Sequence, residues 1–96
     1  MMIGGFNGVK EADGEIITLA NSMKEKVEDK LGETFDVYEP ILYSSQVVSG
    51  TNYNIKIHAG DERFIHIKIN VPLPIDHNPP ELLEYQKDKS IFDPLI

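Results

Sequence analysis

The sequence predicts an α+β domain in which one N-terminal α-helix packs across a four- to five-stranded antiparallel sheet. Three observations carry that expectation. Ile16, Ala20, Met23, Val27 and Leu31 recur at spacings of 4, 3, 4 and 4, which lines one face of a helix. From Phe35 onward the apolar period changes to two, as in half-buried strands. The chain has 96 residues, 41% of them hydrophobic and 26% charged, which suits a single domain with one core spanning residues 1–96.

Each element can be justified in order. Residues 1–12 contain Gly4, Gly5 and Gly8 with little periodicity and read as a flexible arm, with Met1, Met2 and Ile3 beyond the glycines. Asp13 can cap the helix, Glu15 favours the positive end of its dipole, and Gly32 stops it. The run "TFDVYEPILYSSQVVSG" is a long strand interrupted at Pro40, which lacks a ladder donor and implies a bulge or an edge. Next come "TNYNIKIHA" and "RFIHIKINV", joined by a tight turn at Gly60 and Asp61. If Ala59 pairs with Arg63, then Ile57 faces Ile65 and Ile55 faces Ile67, and the isoleucines share one face. The helix is the cover available for that face. The segment "PLPIDHNPPE" holds four prolines and cannot be central sheet. "LLEYQ" reads as a last short strand, followed by a tail that packs through Ile91, Phe92 or Leu95.

Composition excludes several functions. The 16 acidic residues outnumber 9 basic ones, and the largest basic cluster is "KEK" at residues 24–26. That balance argues against phosphate-driven nucleic-acid binding and against anionic membranes. Without cysteine there is no disulfide scaffold, thiolate nucleophile or Cys-ligated metal. The start "MMIGGFNGVK" has neither a basic n-region nor a signal-length apolar run, so the expected address is cytoplasmic. His58 and His66 fall on the outer sheet face as two exposed histidines; a metal site would need a third ligand. The serines lack an oxyanion-hole motif and the carboxylates form no evident buried pair. The expectation is a non-enzyme with no cofactor and no metal.

Topology supplies the functional signal. In an antiparallel meander the turn at residues 46–50 and the turn at residues 72–80 emerge at the same end of the sheet. With the helix antiparallel to the strand that follows it, the arm leaves at that end too. Three segments with apolar residues then converge there: residues 1–5, Val47 to Gly50, and Leu73 with Pro74. The opposite end carries Gly60, Asp61, Glu62 and Arg63, which is ordinary solvent chemistry. The arrangement describes a wedge.

"QVVSG", residues 46–50, fits the Q-x-V-x-G motif of cystatins, and "QVVSGTNYNIKIHAGDERFIHIKI" resembles the matching stretch of stefins, the single-domain intracellular cystatins without disulfides. The resemblance extends to "MMIGG", to Leu73–Pro74 and to "YQKDK", and covers nearly the whole chain. It implies a cystatin-like fold and reversible, tight-binding inhibition of papain-like, cathepsin-type cysteine proteases. The implied protease-binding residues are Gly4, Gly5, Gln46, Val47, Val48, Ser49, Gly50, Leu73 and Pro74, with Gly4 as the arm's pivot. The arm would occupy the non-primed subsites and the two hairpins the primed side. The expected state is a monomer; straightening of residues 47–50 would fuse two strands and permit a domain-swapped dimer. The alternative is a non-inhibitory protein-binding module that uses the outer face at Phe64, His66 and Lys68.

Overall fold

Asp13 opens the helical region in the computed structural model, which describes residues 8–95. Its Oδ1 accepts the Ile16 N–H at 3.0 Å, satisfying one of the free donors at the start of α1 (Gly14–Ser22). The single continuous helix expected from the spacing is interrupted at Met23 and resumes as α2 (Lys24–Leu31). The cause lies outside the helix. The Tyr38 hydroxyl donates to the Ala20 carbonyl at 2.8 Å, and the Met23 N–H closes on that same carbonyl at 3.1 Å in a three-residue step. A side chain inserted at the carbonyl ladder is a recognised source of such breaks. Burial, with a smaller contribution from Glu28, pushes the Tyr38 phenol above its ordinary value and keeps it a donor. The apolar stripe survives: Ile16, Ala20, Met23 and Val27 are all buried. Gly32 ends α2 in the left-handed region, φ 74°, with its N–H on the Glu28 carbonyl.

The sheet is an antiparallel meander in the order β1 (Lys10–Glu11), β2 (Glu39–Val48), β3 (Gly50–His58), β4 (Phe64–Val71) and β5 (Glu81–Lys89). The expected strand at Phe35 begins instead at Glu39; Phe35 is core, its N–H held by Glu28 Oε2 at 2.8 Å. The register of β2 shifts between Pro40 and Leu42, where the proline implied an irregularity. Ala59 N–H bonds the Arg63 carbonyl at 2.9 Å, and Ile57 pairs with Ile65 and Ile55 with Ile67. Those four isoleucines and Ile69 pack with the helical stripe in one core. β5 is longer than the expected residues 82–86.

Two further expectations need correction. The arm was placed at residues 1–12, but its base is sheet: Lys10 pairs with Tyr43, Glu11 with Leu42, and Ala12 N–H bonds the Ile41 carbonyl at 2.9 Å. His66 is buried rather than exposed, as are Ser44, Asn54 and Lys56 on the same outer face. The tail turns back there, and Lys56 Nζ donates to the carbonyls of Ser90, Ile91 and Asp93 at 3.3, 2.7 and 2.8 Å. Of the three tail residues offered for packing, Leu95 is buried, while Ile91 and Phe92 are exposed. Among the described residues no helix is long and apolar enough to cross a membrane.

Candidate functional site

The β2–β3 hairpin is nearly as tight as a hairpin can be. Val47 pairs with Thr51 and Val48 with Gly50, leaving Ser49 alone at the tip. At the last two pairs of the hairpin, beyond the core, Val47 is 76% and Val48 44% exposed, although both are β-branched strand formers. Gly50 is demanded twice. Its φ is +99°, and an added Cβ would lie 2.4 Å from the Val71 carbonyl oxygen and 3.0 Å from Pro72 Cα. The backbone at Gly50 therefore rests directly on the start of the next hairpin, and Thr51 pairs with Val71 beside it. Behind the tip Gln46 lies opposite Asn52, whose Oδ1 accepts from Asn70 Nδ2 at 2.8 Å. That polar row crosses three strands and fixes the base of the tip.

The second hairpin leaves β4 through Pro72 and exposes Leu73 (45%) and Pro74. Pro74 starts a 3₁₀ turn, Pro74–Asp76, at the position where its missing N–H and fixed φ are no handicap. Asp76 N–H bonds the Leu73 carbonyl at 3.0 Å and His77 N–H the Pro74 carbonyl at 3.2 Å; His77 closes the turn in the left-handed region, φ 55°. Val47, Val48, Ser49, Gly50, Leu73 and Pro74 thus share one end of the sheet. Gly4 and Gly5 lie outside the described residues. Each step of β1 toward the N-terminus, from Glu11 on Leu42 to Lys10 on Tyr43, moves toward that same end.

The sequence reading assigned no role to Ile75, which is 78% exposed on the 3₁₀ turn. The signal was present: an isoleucine four residues past the end of β4, inside a segment that its prolines exclude from the sheet. The groups with displaced titration lie elsewhere. Burial, with help from Lys56 and Lys89, pushes His66 down to about 4. At the opposite end Arg63 donates to Glu33 at 2.7 and 3.2 Å, and that hydrogen bonding holds the Glu33 carboxyl below its usual range. Among the described residues no group of three His, Asp or Glu side chains could hold a metal ion. The outer face offered for an alternative partner is already occupied in part: His66 is buried and Lys68 Nζ donates to Glu84 at 2.9 Å.

What the exposed end offers is shape and apolar area. A cystatin domain model matches residues 4–91. The chain is 41% identical to leukocyte cysteine proteinase inhibitor 1 of Sus scrofa, covering 99% of this chain and 92% of that protein. It is 44% identical to cystatin-A of Bos taurus and 37% identical to cystatin-B of Homo sapiens, each covering 99% of this chain and 97% of the relative. On this match, which runs through the Q-x-V-x-G tip and the second hairpin alike, the chain belongs to the cystatin family, on its stefin branch.

Proposed function

We propose that this chain is a reversible, tight-binding inhibitor of papain-like cysteine proteases, cathepsin-type enzymes among them, and not itself an enzyme. The observation that carries the reading is the exposed apolar end in which Val47 and Val48 are locked beside Leu73 and Pro74 by the Gly50 contact. The similarity to a protein named as a cysteine proteinase inhibitor supports the same reading. In this mechanism the tip enters the active-site cleft and excludes substrate. Val47, Val48 and Leu73 supply apolar area, each worth about 1.5–3 kcal/mol when fully buried, before the costs of association. Gln46 and Ser49 hold the tip's form, and no carbonyl of the inhibitor is offered to the catalytic thiolate. Gly4 and Gly5 place the arm beside that thiolate without a Cβ in the way, and the direction of β1 supports this assignment. The protein acts as a cytoplasmic monomer; exchange of halves about residues 47–50 would make a swapped dimer and remove the tip.

Titration of papain tests the proposal: inhibition is expected below micromolar concentration, and none at micromolar concentration would overturn it. Val48→Asp places a carboxylate in the interface and is expected to weaken inhibition by about a hundredfold or more. Deleting residues 1–4 is expected to weaken binding chiefly through faster dissociation. An unchanged dissociation rate would remove the arm from the mechanism. A dimer fraction that inhibits at full strength per chain would contradict the swapped form.

A further inference from the structure

We infer that the end of the sheet opposite the hairpin tips carries a second interaction surface. Its groove, between the β3–β4 turn and the tail, takes a protein segment presenting an apolar side chain flanked by lysine or arginine. The surface stands apart from the inhibitory end, because β3, nine residues long at roughly 3.3 Å each, separates it from the tip at Ser49. The groove encloses about 460 Å³ and is lined by Asp61, Glu62, Phe64, Ser90, Ile91 and Phe92. Phe92 is 90% exposed, more than any other large apolar side chain of the described residues.

That phenylalanine sits on ordered backbone. Asp93 N–H bonds the Ser90 carbonyl at 3.2 Å, Ser90 N–H bonds Asp93 Oδ2 at 2.7 Å, and Phe92 N–H bonds Ser90 Oγ at 3.2 Å. The Lys56 ammonium ties the same turn to the sheet through the Ser90, Ile91 and Asp93 carbonyls. The facing wall is fixed as well, since His58 Nε2 donates to the Asp61 carbonyl at 2.8 Å. Between the walls the Phe64 ring lies 5.1 Å from the His58 ring and 6.0 Å from Lys56 Nζ. Walls ordered before binding lose little freedom on contact, so apolar area buried there counts toward affinity. Charge names the partner. The charged residues of the lining, Asp61 and Glu62, are both acidic and exposed, and neither enters an ion pair among the described residues. The net charge of −7 disfavours a second copy of this chain and favours a cationic segment. Aromatic faces beside carboxylates suit an apolar side chain with lysine or arginine next to it.

The experiment titrates the isotope-labelled full chain, followed by amide NMR, with three synthetic peptides. These are Lys-Lys-Leu-Leu-Lys-Lys, the same with serines for its leucines, and the same with glutamates for its lysines. Amides of residues 61–64 and 90–93 are expected to shift with the first peptide, which should bind about tenfold or more tightly than either control. Phe92→Ser should weaken it about tenfold, and Asp61→Asn with Glu62→Gln should weaken it severalfold and flatten its salt dependence. Val48→Asp, at the other end, should bind the peptide as the wild type does whether or not the chain inhibits papain. Loss of peptide binding in Val48→Asp, shifts centred on Glu25, Glu28 and Asp29 of α2, or no shift with any peptide overturns the inference. So does self-association that Phe92→Ser abolishes, which would seat a second copy in the groove. The exposure of Phe92 implies an unchanged urea midpoint in Phe92→Ser; if the midpoint falls, the Asp61→Asn, Glu62→Gln chain decides.

Discussion

The exposed hairpin end and the outer sheet face are both shaped by backbone that leaves the sheet, yet they are held by different physics. At the hairpin end the fixing contact is steric: Gly50 meets the backbone of Val71 and Pro72, and no ionisable group takes part. On the outer face the tail is tied through a buried ammonium, Lys56, with three carbonyls around it and the buried imidazole of His66 beside it. A contact made by close approach is insensitive to acid and salt but intolerant of one added carbon. A contact made by a buried charge tolerates changes of shape but depends on protonation. The hairpin end should therefore keep its form under conditions that loosen the tail.

The largest effect expected on this contrast comes from Gly50→Ala. The new Cβ meets the Val71 oxygen, and φ +99° is strained for any side chain, so a stability loss of about 2–4 kcal/mol is expected. Inhibition should fall with it because the two hairpins are forced apart. Urea unfolding and papain inhibition measure both, and normal values for the pair would show that the hairpins are not coupled there. Lys56→Met should act on the other region alone. It removes the donor for three tail carbonyls and costs about 1–3 kcal/mol. Amide exchange at residues 90–95 should accelerate while protease affinity stays within about twofold. Equal loss of affinity would mean that the regions are not separable.

The smallest effect is that of acid. His66 faces Lys56 from β3, Lys89 from β5, Asp93 from the tail and, across the pair, Gln86. Its folded value of about 4 lies below its ordinary 6.5, so the unfolded chain binds a proton that the folded chain refuses between those limits. Stability must then fall as pH drops through that window and level off below it, by on the order of 1–2 kcal/mol once residual solvent screening is allowed for. Urea midpoints of wild type and His66→Gln at pH 7 and pH 4.5 measure it. The slope should be shallower in the variant, and identical slopes would place the acid response on other groups.

Much of the fold and most of the candidate site could be read from local rules. Asp13 and Gly32 announce a helix start and stop, and the Ala59–Arg63 turn fixes the isoleucine register by counting. The two hairpins follow from the meander, and the Q-x-V-x-G tip falls at its end. What escaped depended on partners remote in sequence. The break at Met23 comes from Tyr38, which the stripe of Ile16 to Val27 does not encode. The burial of His66 comes from the return of residues 90–93, and strand alternation marks only which face His66 is on, not what covers it. β1 was missed because two residues carry no periodicity. The exposure of Ile75 was not legible because it depends on the 3₁₀ turn at Pro74–Asp76.

The interruption at Met23 also bears on the order of assembly. It leaves helical segments of nine and eight residues, each shorter than the roughly 12–15 that an isolated helix needs in water. Neither can persist ahead of its partners, and the Tyr38 hydroxyl that shapes the junction belongs to the chain just before β2. The β2–β3 hairpin, closed through Ser49 alone, involves the least loop entropy and is the natural nucleus. The helix is then a late guest on a surface of isoleucines. Its far-ultraviolet signal should appear together with sheet formation in refolding, and an earlier helical burst would reverse that sequence of events.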